Sequence, residues 1–146
     1  MREIPFRQVH LDFHTSEKIP GVGSEFDPAR FVETLQRAAV NSITLFSRCH
    51  HGMIYHETKF AELRHPGLSC NLLKEQIAAC HAAGIRAPIY ITVGWDEYQS
   101  RAHPEWLQRN AEGRPFGAAP DGRPSAVRCS HSGCARPWYS SQPTVM

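Results

Sequence analysis

No stretch of this 146-residue sequence approaches the roughly 18 to 20 consecutive apolar residues of a membrane span. No apolar run follows Met1-Arg2-Glu3-Ile4-Pro5 to act as a secretory signal, so a soluble cytoplasmic protein without a membrane partner is the default expectation. Charge of one sign is lacking too. Sixteen Lys+Arg against 14 Asp+Glu leave a formal +2, without the basic face that nucleic acid demands, and no nucleic-acid partner is expected. The five cysteines make no even set, and Cys49, Cys70 and Cys80 fall inside ordinary elements, which speaks against a secreted disulfide framework and for reduced thiols. The signatures G-x-x-x-x-G-K-[ST], H-E-x-x-H and G-x-S-x-G are all missing. Gly21-Val22-Gly23 is followed by Ser24-Glu25-Phe26 with no third glycine at the spacing a dinucleotide needs, so it reads as loop punctuation and no cofactor is expected. No internal repeat of solenoid length is present.

What is present is unevenly distributed. Residues 1–112 hold 12 of the basic residues, 13 of the acidic ones and eight of the nine histidines, whereas residues 113–146 hold four arginines and only Asp121. In that last segment 14 of 34 positions are Gly, Pro or Ser, and no period of a helix or strand survives. The expectation is one domain over 1–117 and an irregular tail over 118–146. The abrupt change after Arg114-Pro115-Phe116 favours out-of-frame sequence over a natural flexible tail. Cys129, His131 and Cys134 have a metal-like spacing there, but a clear fourth ligand is missing.

The body alternates strand and helix. Arg7 to Phe13 is short, β-branched and aromatic enough for a first strand. Asp27 before Pro28 starts a helix, because Asp caps free amides and Pro at the first helical position loses no hydrogen bond. Phe31, Leu35, Ala38 and Ala39 give that helix a single inward face. Ser42 to Ser47 carries apolar residues on both faces, as a strand covered on both sides does. A long loop over 49–70 follows, then a helix capped by Asn71, with Leu73, Ile77 and Cys80 as its stripe and Gly84 just past its end. Ile85 to Val93 is the third strand, and His103 to Arg109 offers a short helix. Three such units predict an α/β fold with parallel strands in the order one, two, three and both helices on one side. Pattern alone leaves an open doubly wound sheet and a (β/α)8 barrel both possible.

Chemistry gathers where the strands end. Strand one carries His10, Asp12 and His14 at alternate positions, strand two delivers Arg48, Cys49, His50, His51 and Gly52, and strand three ends in Trp95, Asp96 and Glu97. In a parallel sheet these ends converge on one rim, and a pocket within about 15 Å is expected there. A tryptophan beside two carboxylates suits a sugar ring, whose CH face stacks on indole while its hydroxyls bond carboxylate and imidazole. His56, His65, His81 and His103 are expected in loops or on helix surface and receive no role. A different chemistry fits part of the set: His10, Asp12, His14, His50 and His51 are ligand types of a metal-dependent hydrolase. Adjacent histidines on a strand point to opposite faces, so His50 and His51 could serve together only if the turn has begun.

At these residues a resemblance becomes specific. RQVHLDFHTSEKIPGVGSEFDPARF, CHHGMIYH, VGWDEY and HPEW resemble the amino-terminal part of a family of TIM-barrel glycoside hydrolases distantly similar to alpha-L-fucosidases. The resemblance covers about residues 5 to 118. It implies a (β/α)8 barrel with a carbohydrate pocket at its carboxyl face, lined by Asp12, His14, Arg48, His50, His51, Trp95, Asp96 and Glu97, with carbohydrate as the substrate partner and full-length relatives that oligomerise. Arg48 stands where relatives are expected to carry Lys, a change that matters if the group makes a bidentate contact. A TIM barrel takes about 250 residues, so the fold class expected here is the first three βα units of a truncated barrel. Glycoside hydrolysis needs two carboxyl groups roughly 5 to 9 Å apart, which the resemblance places on strand four onward. The expected molecule is therefore a carbohydrate-active domain that is inactive alone, or a non-functional fragment. Amide hydrogen exchange tests the tail: residues 118–146 are expected to exchange far faster than 72–83.

Overall fold

The computed structural model describes residues 5–115. They fall into two compact units, 5–49 with 53–91 and 50–52 with 92–115. The expectations for 118–146, including Cys129, His131 and Cys134, lie outside the described residues.

The first unit is a mixed α/β body around a three-stranded sheet: β1 (Gln8–His10), β2 (Ser42–Arg48) and β3 (Ile89–Ile91), with helices α1 (Pro28–Arg37) and α2 (Leu72–Ala82). Strand order is β1-β2-β3 and both pairings are parallel. Val9 pairs with Ile43 and Phe46 with Tyr90, and the register shifts between Phe46 and Arg48. The expected order and direction therefore hold, but the flanking strands are shorter than the expected 7–13 and 85–93. Single backbone bonds run beyond the short strands, from the Asn41 amide to Arg7 O and the Leu11 amide to Thr44 O on one side of β2, and from the Ile43 amide to Arg86 O on the other.

β2 explains why two helices share a side. Its residues Ile43 and Leu45 point one way and join Leu35 of α1, Leu73 and Cys80 of α2, and Ile85 in the core. Phe31 and Ile77 pack against that cluster from the same helices. Burying each such side chain contributes about 1.5–3 kcal/mol before entropy is counted. The stripe expected for α1 is narrower than read, since Ala38 and Ala39 are exposed.

The two helices end alike. In α1 the Val40 amide reaches the Leu35 carbonyl (2.9 Å) and the Ala39 amide reaches Gln36 (2.8 Å). In α2 the Ile85 amide reaches Cys80 (2.9 Å) and the Gly84 amide reaches His81 (3.1 Å). This paired closure requires a left-handed residue, filled by Gly84 (φ 69°) after α2 but by Ala39 (φ 54°) after α1. The starts differ. Asp27 Oδ1 accepts from the Arg30 amide at 2.8 Å, whereas Asn71 precedes α2 without a side-chain capping bond, contrary to expectation.

The loop expected over 49–70 is ordered by long-range pairing. It holds a 3-10 turn (Ala61–Leu63). The Ile54 amide bonds Leu63 O (2.7 Å), and the Val22 amide bonds Gly67 O (2.8 Å). His65, expected near the surface, is fully buried. Its Nε2 donates to Ser16 O at 2.9 Å and its Nδ1 accepts from the Gly67 amide at 3.1 Å. Tyr55 stacks on it at 5.7 Å. Burial, then the neighbouring Cys49 thiol, hold the Tyr55 hydroxyl well above the ordinary phenol range, against the opposing pull of Thr15.

The second unit contains α3 (Glu97–Ala102) and a 3-10 turn at Pro104–Trp106. The helix expected over 103–109 is thus a single tight turn, and a helix lies where none was expected. No helix among the described residues is long and apolar enough to cross a membrane.

Ala39→Gly is expected to stabilise the protein by about 0.5–1 kcal/mol, because an exposed alanine holds a left-handed position that glycine adopts without strain. Urea denaturation should show a raised midpoint with an unchanged slope.

Candidate functional site

The eight residues expected in a pocket divide between the two units. Asp12, His14 and Arg48 belong to the first, and His50, His51, Trp95, Asp96 and Glu97 to the second.

In the first unit the face of β2 opposite the helices is aromatic. Phe46 is buried and stacks on Tyr90 of β3, centroids 4.3 Å apart at 24°. His10 approaches Phe46 edge-on at 5.3 Å, and His14 does so at 4.9 Å and 88°. His14 also meets Tyr90 at 6.0 Å. The chain past β1 continues on the same side, as period-two alternation expects, so His10 and His14 flank one aromatic pair. Nε2 of His14 lies 3.1 Å from Oδ1 of Asp12, whose side chain is largely exposed. Asp12 can thus hold the His14 ring while leaving its second oxygen for a ligand. Arg48 closes β2 with its side chain fully buried, where the expectation put it on a pocket rim. Phe46 and Tyr90 were not singled out in the sequence. Their signal was alternation on strands two and three, in phase with His10.

In the second unit the turn at 50–51 has begun where β2 ends, so the two histidines do not point to opposite faces. Their rings lie side by side, 4.3 Å apart and tilted by 53°. Gly52 follows with φ 90°. A Cβ there would stand 2.5 Å from Tyr98 Cβ and 2.8 Å from Asp96 Oδ1, so both the backbone angle and the close approach require glycine.

The segment Trp95-Asp96-Glu97 is built around the start of α3. Thr92 donates its hydroxyl to the Trp95 carbonyl and closes the preceding turn. Trp95 is half exposed at 47%. Asp96 is fully buried and caps the helix: its Oδ1 accepts from the Gln99 amide at 2.9 Å. This capping task was not foreseen, although Asp followed three residues on by Gln is a helix-start signature. The Glu97 amide donates to His50 O at 2.7 Å. Oε2 of Glu97 lies 2.6 Å from Nδ1 of His51, and Oε1 accepts from Arg101 one turn along. Beyond the helix His103 stacks on Trp106 at 3.7 Å. Glu105, exposed, has its carboxyl held below the ordinary range by its own backbone amide and then by His103.

Among the described residues no three His, Cys, Asp or Glu side chains gather as a metal site, so the metal-hydrolase alternative finds no support.

This mixed α/β chain with its small parallel sheet is similar to glycoside hydrolases. The chain belongs to the family described as Hypothetical glycosyl hydrolase 6, whose model matches residues 27–142. It is 42% identical to alpha-L-fucosidase isoenzyme 2 from Paenibacillus thiaminolyticus, superposing with a TM-score of 0.78 over 86% of this chain and 19% of that one. It therefore spans about a fifth of that fucosidase's length. Thermotoga maritima alpha-L-fucosynthase, solved in complex with alpha-L-Fuc-(1-2)-beta-L-Fuc-N3, is 20% identical with a TM-score of 0.51, covering 77% of this chain and 24% of its own. A hypothetical protein from Ruminiclostridium thermocellum is 18% identical with a TM-score of 0.54, over 75% of this chain and 57% of that one. These last two are likenesses of fold alone. No curated protein matches the chain.

Gly52→Ala is expected to destabilise the protein by at least about 2 kcal/mol, since a methyl there meets Tyr98 and Asp96 and the backbone angle is strained. Urea unfolding followed by Trp fluorescence measures it.

Proposed function

We propose that this chain supplies the sugar-holding side of a fucosidase-like glycoside hydrolase pocket, and that it corresponds to the first three βα units of a (β/α)8 barrel. The observation that carries the reading is its 42% identity to the Paenibacillus fucosidase at a TM-score of 0.78. The geometry supports it. Within the first unit the His14 imidazole and the second Asp12 oxygen offer directional bonds to hydroxyls; within the second, the imidazoles of His50 and His51 do the same and the half-exposed indole of Trp95 offers a face to ring CH groups. L-Fucose or a related deoxy sugar is the proposed ligand. Arg48 in the first unit and Asp96 in the second are both fully buried, so neither offers its side chain at the surface.

Hydrolysis is proposed to depend on carboxyl groups from later strands. Asp96 spends an oxygen on the helix cap, and Glu97 is held between His51 and Arg101, so neither is free to serve as a proton donor or nucleophile. The domain boundary at residue 117 is likewise proposed. The family match running to residue 142 favours a tail in the natural reading frame over an out-of-frame one.

Titration of purified 1–146 with L-fucose, followed by Trp fluorescence and NMR, tests the reading. Binding in about the millimolar range is expected, stronger than for D-glucose and weakened about tenfold by His14→Ala or Trp95→Ala. Aryl α-L-fucosides and aryl galactosides are expected to stay at background hydrolysis. No preference for L-fucose would overturn the sugar reading. Turnover abolished by both Asp12→Asn and Glu97→Gln would place the catalytic pair on strands one and three instead.

A further inference from the structure

We propose that Glu97 is a positioning residue: its carboxylate fixes His51 as the Nδ1–H tautomer, so that His51 presents an unprotonated Nε2 as the acceptor for a sugar hydroxyl. This rests on the sugar-holding role proposed for His51 and assigns that role an atom and a direction.

Oε2 of Glu97 and Nδ1 of His51 are 2.6 Å apart. An ionised carboxylate only accepts hydrogen bonds, so the shared hydrogen belongs to Nδ1. The other carboxylate oxygen takes the Arg101 guanidinium, an i,i+4 pair that holds the plane of the Glu97 carboxylate. The helix end that carries Glu97 is anchored independently, through the Asp96 cap and the bond from the Glu97 amide to His50 O (2.7 Å). Backbone and side chain of Glu97 thus grip successive residues of one turn. The His51 and Glu97 side chains are 25% and 28% exposed, which shields the pair from full competition by water.

With Nδ1 engaged, a neutral His51 has one remaining polar atom, the Nε2 lone pair. A hydroxyl bonded there must donate its proton, which leaves its own oxygen to accept from another group. Fixing the ring thus selects one orientation of a ligand hydroxyl, as a carboxylate behind a metal-bound histidine selects one ring nitrogen. The sequence reading placed Glu97 among the sugar contacts. The structure instead gives each of its oxygens a side-chain donor already in place.

Nitrogen-15 NMR of the His51 imidazole in the purified 1–146 chain, at a pH where the ring is neutral, reads the tautomer directly. The proton is expected on Nδ1. Glu97→Met, which keeps the length without an acceptor, should convert His51 to a mixture with much Nε2–H. Arg101→Leu, at an exposed position, should move it the same way by less. L-Fucose affinity should fall about tenfold in Glu97→Met and recover largely in Glu97→Gln, whose amide oxygen still accepts. A proton found on Nε2 in the unmodified chain overturns the inference without needing any variant to fold. Unchanged L-fucose binding in a folded Glu97→Met overturns it as well. If the tautomer behaves as expected while no sample binds L-fucose, the positioning geometry stands and the sugar reading of the site fails.

Discussion

A strand buried on both faces must give each face a partner, and β2 is that strand. Six of its seven residues are buried. One face, through Ile43 and Leu45, organises both long helices. The other, through Phe46, gathers Tyr90, His10 and His14 into an aromatic and imidazole surface. The same alternation that secures the core therefore decides which side chains form the surface proposed to hold a sugar. Stability and site are two readings of a single period of two.

In the second unit the organising element is smaller. A glycine with a left-handed backbone lets the turn after β2 pass close to Asp96 and Tyr98. The Asp96 cap fixes the helix start, and Glu97 then lies against both the backbone of His50 and the ring of His51. Each of these steps is local, yet together they join residues 46 positions apart in the sequence.

What could be read in the sequence tracks how local its cause was. β2 was legible because both-face burial writes itself into composition, and α1 because Asp27-Pro28 is a start signal that acts within one turn. The edges of the sheet are overextended since β propensity in Arg7–Phe13 and Ile85–Val93 does not reveal where the regular ladder gives way to single backbone bonds and the isolated Ser42–Arg86 bridge. α3 is not legible because Glu97-Tyr98-Gln99-Ser100-Arg101-Ala102 has no apolar stripe, which leaves the Asp96 cap as its single local signal. The pairing of His51 with Glu97 depends on the path of the turn at Gly52, which spacing alone does not encode. His65 looked like a loop residue, and its burial comes from contacts with a segment almost fifty positions away.

The long segment between β2 and α2 is tied by backbone bonds to the loop before α1. Val22 bonds the 65–70 stretch twice, its amide donating to Gly67 O at 2.8 Å and its carbonyl accepting from the Ser69 amide at 2.9 Å, and a Cβ on Gly67 would stand 2.3 Å from the Ile19 carbonyl oxygen. For protein engineering this inverts the usual guidance. Insertions, tags and circular permutation breaks succeed where backbone is exposed and unpaired, and a loop lacking helix or strand normally qualifies. Here the two loops that look most permissive clasp each other. The exposed faces of α1 are the more accommodating place to attach a label.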